Sequence, residues 1–144
     1  MGVQKIEPYL MFDGTAESAI RLYQKALGAE VQGEVMRFKD VPSSEGAPDP
    51  SFAQRVMHAR LRIGKDYIML SDGMPGEPPP KVTNVHVCLS CDDEAEMAKQ
   101  FEALAEGGQV TMPLQDAFWG DRFGMLKDAF GIHWMFSCAK AAKK

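Results

Sequence analysis

An internal repeat constrains the fold of this chain more than any other feature of its sequence. An offset of 79 residues places Asp13 on Asp92 and Gly28 on Gly107. Between these positions both halves carry an amphipathic helical pattern, so the helix starts and stops coincide. Three segments of strand character then follow in each half, which predicts the order strand, helix, strand, strand, strand twice. Neither half alone can bury both a helix face and a sheet face, so we expect one α+β domain over residues 1–144.

The repeat also sets the boundaries of the segments. We place the first repeat at residues 4–72 and the second at residues 82–138. The intervening residues 73–81 read GMPGEPPPK, a composition typical of a stiff proline-rich linker. Residues 139–144 form a lysine-rich tail. Residues 40–54 contain three prolines and few large apolar side chains, which predicts a loop of the kind that is often a functional lid or simply mobile.

Hydrophobic periodicity assigns helices and strands within both repeats. The predicted helices cover residues 15–27, capped by Asp13 or Thr15, and residues 94–106, capped by Asp93. The predicted strands cover residues 5–12, 30–38, 56–63, 67–71, 83–90, 109–114, 122–127 and 132–136, with a tight turn at residues 128–131. The first strand should carry on one face Ile6, Leu10 and Phe12. The buried helix stripes should be Ala16, Ala19, Ile20, Tyr23 and Ala26 or Leu27, then Met97, Ala98, Phe101, Leu104 and Ala105.

The charge and hydropathy of the chain disfavour two classes of partner. A net charge of −4 disfavours nonspecific nucleic-acid binding, which needs clustered Lys and Arg. No apolar run is long enough to span a bilayer, and the first ten residues contain no signal-peptide core. We therefore expect a cytoplasmic protein with neither a nucleic-acid nor a membrane partner.

The cysteines do not favour redox or disulfide chemistry. Cys88 and Cys91 have the spacing of a redox C-x-x-C motif, but such a motif opens a helix, whereas Cys88 lies within a predicted strand. An odd separation along a strand sends the two sulfur atoms to opposite faces. With Cys138, these cysteines are expected to be small buried or half-buried residues.

The duplicated βαβββ order resembles the vicinal oxygen chelate superfamily, which includes glyoxalase I, bleomycin-resistance proteins and extradiol dioxygenases. The chain is similar in particular to the PhnB-like branch of glyoxalase-like proteins. That resemblance rests on PYLMFDGTAESAIRLYQKALGAEV at residues 8–31, VMHARLRIG at 56–64, MLSD at 69–72 and MPLQDAFWGDRFGMLKDAFGIHWMFS at 112–137. Some members of this branch carry the label 3-demethylubiquinone 3-methyltransferase. The resemblance implies two curved sheets, each contributing to a cup.

In the metal-using relatives, the first and last strands of each half supply the metal ligands. The repeat places Glu7 opposite His86 on the first strands, and the last-strand positions fall on Met69 and Met135. Relatives that bind metal usually carry Glu there, and thioethers are poor ligands for Mn, Ni, Zn or Fe(II). Half of the ligand set is therefore missing, and we expect no cofactor beyond a weakly held divalent metal, for which His58 or His133 could supply a further ligand.

Glu7 and His86 remain the candidate catalytic pair. The alternative for His86 is a hydrogen-bonded histidine that lines a pocket, with Glu7 as its partner. An unmetallated pair of this kind could serve as a general base.

Further candidates are expected to line the cup and contact a ligand. Strand parity predicts a soft apolar lining with polar tips from Tyr9, His58, Arg60, Met69, Cys88, His133 and Met135. Phe118 and Trp119 either stack on the ligand or belong to the core. Arg122 either binds an anionic substrate or pairs with Asp121 to fix its loop.

Two functions are compatible with these residues. The first is a binding module, as in resistance proteins of the superfamily, which holds a small, partly apolar molecule without metal. The second is a metal-dependent lyase, isomerase or transferase that acts on a small oxygenated substrate through Glu7 and His86. Methyltransferase activity is not expected, because the chain has no G-x-G loop for S-adenosylmethionine. The resemblance also implies a homodimer, and unpaired sheet edges favour such pairing.

Overall fold

Each half of the repeat builds one sheet with a long helix against one of its faces. The structure is a computed structural model that describes residues 2–40, 50–73, 79–80 and 83–140. The chain divides into two compact units, Met1–Pro80 and Lys81–Lys144, and each is described with its own sheet. This boundary coincides with the predicted linker, of which residues 74–78 and 81 lie outside the described residues.

The first unit has the strand order β1-β5-β4-β2, with β3 paired to the other end of β4. Its elements are β1 (Tyr9–Met11), α1 (Ala16–Leu27), β2 (Glu30–Val31), β3 (Met36–Arg37), a 3-10 turn (Phe38–Asp40), α2 (Pro50–Ala53), β4 (Val56–Ile63) and β5 (Asp66–Ser71). Strands β1 and β5 run parallel, and the other pairs are antiparallel.

The second unit repeats this arrangement with the strand order β6-β9-β8-β7. Its elements are β6 (Val87–Cys91), α3 (Glu94–Ala105), β7 (Gln109–Asp116), β8 (Asp121–Lys127) and β9 (His133–Ala139). Strands β6 and β9 are parallel, as β1 and β5 are in the first unit. The predicted α+β class with two βαβββ-like units is therefore confirmed.

The first strand of each unit is shorter than its alternation predicts. Strand β1 begins only at Tyr9, and Ile6, expected on the face of Leu10 and Phe12, is 88% exposed. Pro8 has no N–H to donate, which limits pairing before β1, although its carbonyl accepts the Met69 N–H at 2.9 Å. In the second unit, β6 likewise begins at Val87 rather than at residue 83.

The strand predicted at residues 30–38 is also wrong in part. It is divided into β2 and β3, and between them Gly33 has φ +72°, a left-handed conformation that ends the extended run. A short helix, α2, occupies the end of the predicted 40–54 loop, whereas residues 41–49 lie outside the described residues.

Burial confirms most of the predicted helix stripes. In α1 the buried side chains are Ala16, Ala19, Ile20, Tyr23, Ala26 and Leu27, and the helix ends at Gly28 in the left-handed conformation. In α3 the buried side chains are Met97, Phe101 and Leu104. Ala98 is exposed and Ala105 half-buried, so the predicted stripe was too wide.

A distant carboxylate, rather than Asp13 or Thr15, caps α1. Asp72 Oδ1 accepts the N–H groups of Gly14 and Ala16 at 2.8 and 3.0 Å, and Asp72 Oδ2 accepts the Val56 N–H at 2.8 Å. Thr15 makes no side-chain capping bond. Asp72 is 4% exposed, so its two oxygens join the start of α1, the start of β4 and the end of β5 in the interior. In α3 the prediction is confirmed, because Asp93 Oδ1 accepts the Glu96 N–H at 2.9 Å.

A second buried carboxylate organises the last hairpin. Asp128 is 2% exposed, and its Oδ1 accepts the N–H groups of Phe130 and Ile132 at 2.8 and 3.0 Å. Its Oδ2 accepts the Trp134 Nε1–H at 2.9 Å. The predicted turn is confirmed by the bond from the Gly131 N–H to the Asp128 carbonyl at 3.0 Å.

Replacing Asp72 by Asn should lower the free energy of unfolding by about 3 kcal/mol. Whichever way the amide points, its NH₂ group faces at least one backbone N–H that Asp72 now accepts. Urea unfolding followed by circular dichroism measures the loss. The control is Asp13→Asn, which removes only a partly exposed pair with Arg55 and should cost at most about 1 kcal/mol. Equal losses in the two variants would contradict the capping role of Asp72.

Candidate functional site

The sheet of the first unit has one face against α1 and one open face. On the helix side the buried strand residues are Leu10, Phe12, Ala59, Leu61, Ile68 and Leu70. Side chains alternate along a strand, so the opposite face carries the residues between these. This first open face includes Tyr9, Met11, His58, Arg60, Tyr67 and Met69, with Arg62 directly opposite Tyr67. All are half-buried or exposed, so this face is available to a ligand.

Glu7 lies at the edge of the first open face and is held by two cations. Its Oε1 accepts from Lys5 Nζ at 2.6 Å and from Arg60 Nη2 at 2.5 Å. The hydrogen bonds from Lys5 and Arg60 hold the pKa of Glu7 below its usual value. The guanidinium of Arg60 also stacks on Tyr67, with 3.8 Å from its carbon to the ring centroid. The Glu7 carboxylate is therefore already engaged by partners of its own unit.

Tyr9 and His58 form a polar pair on the same face. The Tyr9 hydroxyl lies 2.8 Å from His58 Nδ1, and the two rings meet edge to face at 5.6 Å. Burial raises the pKa of Tyr9, so the phenol is protonated at neutral pH. A phenol that donates to Nδ1 leaves the imidazole proton on Nε2, where it is available to a ligand oxygen. The predicted placement of His58 and Tyr9 on one face is confirmed.

The second unit has an equivalent open face, opposite the buried layer of Leu126, Trp134, Phe136 and Cys138. This second open face includes His86, Cys88, Phe123, Met125, His133 and Met135, with Lys127 directly opposite His133. Cys88 is directly opposite Met135, and Met135 is directly opposite Met125. The expectation that Cys88 and Met135 share a face is confirmed. Cys88 is exposed rather than buried or half-buried, so that part of the cysteine prediction was wrong.

His86 lacks, at one of its two ring nitrogens, the hydrogen bond expected for a histidine that lines a pocket. Its Nδ1 is buried and has no hydrogen-bond partner within the described chain. Its ring lies 4.8 Å from the ring of His133, at an interplanar angle of 39°. Burial lowers the pKa of His133, and the neighbouring His86 and Lys127 lower it further. The lowered pKa favours the neutral form of the His133 imidazole, which is the form that accepts a proton or binds metal.

The aromatic residues before β8 are not core residues. Phe118 is 97% exposed and Trp119 is 52% exposed. Trp119 contacts Phe118 and Phe123 edge to face, with ring centroids 5.0 and 5.4 Å apart. They stand at the tip of the β7–β8 hairpin, so the ligand-stacking role stays a prediction and the core alternative is wrong.

Arg122 does fix its hairpin by an ion pair, but with a different partner from the one predicted. Its Nη1 lies 3.1 Å from Asp116 Oδ1, across the β7–β8 ladder. Asp121 instead accepts the hydroxyl of Ser137 at 3.0 Å. Asp121 and Arg122 are adjacent on a strand and point to opposite faces, which explains why they do not pair.

The structure brings together two groups of predicted residues, one in each unit. Glu7 and His86 belong to different units, so each is placed only on its own open face. Across the described residues, no group of three or more His, Cys, Asp and Glu side chains could hold a metal ion. Sequence reasoning missed Lys5 and Tyr67 as partners of the Glu7–Arg60 pair. The sequence offered one indication of the Lys5 contact: Lys5 lies two residues before Glu7 and so has the same strand parity.

None of the helices in the described part of the chain is long and apolar enough to cross a membrane.

Comparison with known proteins gives a consistent result. Residues 5–136 match the family described as the glyoxalase/bleomycin resistance protein/dioxygenase superfamily. Protein YjdN of Escherichia coli K12 is 33% identical over 145 residues, which cover 94% of this chain and 95% of that protein. Protein PA1353 of Pseudomonas aeruginosa is 37% identical with a TM-score of 0.85, covering 96% and 100% of the two chains. A Bacillus cereus PhnB protein, described as a putative 3-demethylubiquinone-9 3-methyltransferase, is 27% identical with a TM-score of 0.73, covering 94% and 100%.

The Glu7 carboxyl should titrate below an ordinary glutamate, and Lys5→Ala or Arg60→Ala should each raise its midpoint, because each removes a hydrogen bond to the ionised form. Carboxyl carbon NMR across acid pH measures both midpoints. The stability linked to this shift is present above the unfolded-state pKa and is lost as the pH falls through the lower folded-state pKa.

The control for this titration is Arg62→Ala, since Arg62 lies on the same strand as Arg60 but pairs with Glu30 at 2.7 Å. It should leave the Glu7 midpoint unchanged. A midpoint that moves in Arg62→Ala but not in Arg60→Ala would show that the Glu7 cluster does not form as described.

Proposed function

The chain belongs to the glyoxalase/bleomycin resistance protein/dioxygenase superfamily, and from that premise we propose that it binds a small, partly apolar molecule on its open sheet faces without a complete site for a divalent metal. The two open faces supply the lining. Each combines thioether and aromatic or imidazole groups that are only partly covered, which is the composition of small-molecule sites.

The observation that carries this proposal is the identity of the last-strand residues. Met69 on β5 and Met135 on β9 both lie on open faces, next to the first strand of their sheet. These are the positions at which metal-using relatives are expected to place Glu. A thioether is soft and uncharged, so it contacts apolar ligand surface well and holds a hard divalent cation poorly.

The state of Glu7 supports the same conclusion. A metal ion at this carboxylate would have to compete with Lys5 and Arg60, which already neutralise it at 2.6 and 2.5 Å. The alternative function, a metal-dependent lyase, isomerase or transferase, requires Glu7 to leave these partners. His86 favours that alternative, because its Nδ1 has no hydrogen-bond partner in the described chain and could coordinate a metal ion.

The polar groups of the first open face indicate the chemistry of the ligand. The side chain of Arg60 is 33% exposed, and His58 presents Nε2 when Tyr9 occupies its Nδ1. Both groups donate to oxygen. A ligand with an apolar body and a carboxylate or similar oxygen group would therefore place its body on Met69 and Tyr9 and its oxygen toward Arg60.

Methyltransferase activity is not part of the proposal, although the Bacillus cereus relative carries that label. A G-x-G loop that would cradle S-adenosylmethionine is missing from the sequence. Both sheets have one parallel pair among antiparallel strands, rather than the parallel order of a dinucleotide-binding sheet. Homodimer formation stays within the proposal, because β7 is an edge strand that a second copy could pair with or cover.

Fragment binding tests the proposal. With methyl-¹³C-methionine protein, benzoate and benzyl alcohol at millimolar concentration should shift the methyl signals of open-face methionines such as Met69 or Met135. The control signal is Met97, which is fully buried against the sheet and should not move. Arg60→Gln should weaken benzoate binding about tenfold, because it removes a charge-assisted hydrogen bond, and should leave benzyl alcohol unaffected.

The proposal fails if neither fragment moves any open-face methyl signal. The anion-binding role of Arg60 fails separately if Arg60→Gln weakens both fragments equally.

A further inference from the structure

Three sulfur-containing side chains form a row across adjacent strands of the second open face. Cys88 on β6 is paired with Met135 on β9, and Met135 is paired with Met125 on β8. Neighbouring strands of a sheet lie about 4.7–4.9 Å apart, so these three residues are at adjacent positions across the sheet. Methionine side chains are long and unbranched, so changes of rotamer can place their sulfur atoms at several positions. The three sulfur atoms can therefore converge on one point above the central strand β9.

The row is accessible from solvent, and it borders an unsatisfied imidazole. Cys88 is exposed, and Met125 and Met135 are half-buried. His86 precedes Cys88 by two residues and so lies on the same face. Its Nδ1 is buried with no hydrogen-bond partner in the described chain, and an imidazole nitrogen is a common metal ligand.

We propose that Cys88, Met125 and Met135, with the imidazole of His86, bind a soft monovalent metal ion such as Cu(I). Thiolate and thioether sulfur atoms select soft ions, and imidazole is compatible with them. The Cys88 thiol loses its proton to solvent as the sulfur–metal bond forms, and the oxidation state of the ion does not change.

The donor set also argues against the commoner metals. Within the described residues no three His, Cys, Asp and Glu side chains are grouped to hold an ion, so a site here must use thioethers. Thioethers contribute little to Zn²⁺, Mn²⁺ or Ni²⁺ binding. The site is built from one unit alone and does not involve Glu7. It shares Met135 with the proposed ligand surface and His86 with the metal-dependent alternative, and a soft monovalent ion distinguishes it from both, because neither of them calls for such an ion.

Silver(I) is the probe, because it has the same charge and softness and is stable in air. The full-length protein, reduced and chloride-free, is titrated with Ag(I) in competition with a soluble thioether, and native mass spectrometry counts the bound ions. We expect one tightly bound ion per chain. Cys88→Ser should abolish this binding, and the double variant Met125→Leu, Met135→Leu should weaken it at least tenfold.

Matched controls separate the row from other sulfur groups. Cys91→Ser removes a thiol three residues away that points to the opposite face, and Met57→Leu removes a methionine of the first unit. Neither should change the affinity. Met-to-Leu changes conserve volume and are usually tolerated in folded proteins. If the double variant does not fold, either single methionine variant supplies the comparison.

Either of two titration results, or a missing methyl shift, would overturn the proposal. In the first, the methionine variants hold Ag(I) as tightly as the parent protein, which would show binding by a lone thiol. In the second, Cys91→Ser loses the ion while Cys88→Ser keeps it. A shift of the Met125 and Met135 methyl signals on adding one equivalent of Ag(I), with Met97 unchanged, is expected if the row is the site. Its absence would count against the proposal as strongly.

Discussion

The structure of each unit depends on one buried carboxylate that accepts several hydrogen bonds, from distant parts of the chain in the first unit and from its own hairpin in the second. In the first unit Asp72 binds the N–H groups of Gly14, Ala16 and Val56, so one side chain fixes the start of α1 relative to β4. In the second unit Asp128 binds the backbone of the last turn and the indole of Trp134. A buried polar group is costly unless it is hydrogen-bonded, so these bonds specify the arrangement as well as stabilise it.

This constraint leads directly to the candidate site. Helices α1 and α3 each cover one face of their own sheet. Because successive side chains of a strand point to opposite faces, the residues between the buried ones lie on the uncovered face. Those residues include methionines, aromatic side chains and histidines, with Cys88 and Arg60 among them, beside charged residues such as Arg62 and Lys127. Large partly exposed apolar groups such as Tyr9 and Met11 on an ordered sheet are typical of a binding surface. The open faces therefore follow from the strand register and from the face of each sheet that its helix covers.

Local patterns predicted the parts of this structure that depend on local physics. The repeat of helix start, apolar stripe and glycine stop identified both long helices, and the DAFG sequence identified the last turn. What failed depends on partners distant in sequence. The cap of α1 comes from a residue 56 positions away, and no pattern near Thr15 indicates it. Ile6 has the correct alternation, but its segment lacks a strand partner, so it is exposed.

In the candidate site too, the features that depend on local alternation were predictable and those that depend on distant partners were not. Parity placed Tyr9 with His58, and Cys88 with Met135, because faces follow from alternation. The ion pairs were not predictable, since they depend on which strands are neighbours. Glu7 is held by Arg60 because β1 and β4 flank β5, and Arg122 meets Asp116 because β7 lies beside β8. A sequence therefore predicts on which face of the sheet a side chain lies more readily than it predicts which side chain pairs with it.

A divalent-metal titration tests the central claim, that the chain binds its ligand without a complete site for such an ion. Untagged, dialysed protein would be titrated separately with Mn²⁺, Co²⁺, Ni²⁺ and Zn²⁺, beside Glu7→Ala and His86→Ala. We predict weak binding that neither substitution changes, because the Glu7 carboxylate is engaged by Lys5 and Arg60 and the last-strand positions carry thioethers. Tight binding of one ion per chain that is lost in both variants would contradict the account and establish a metal-dependent site instead.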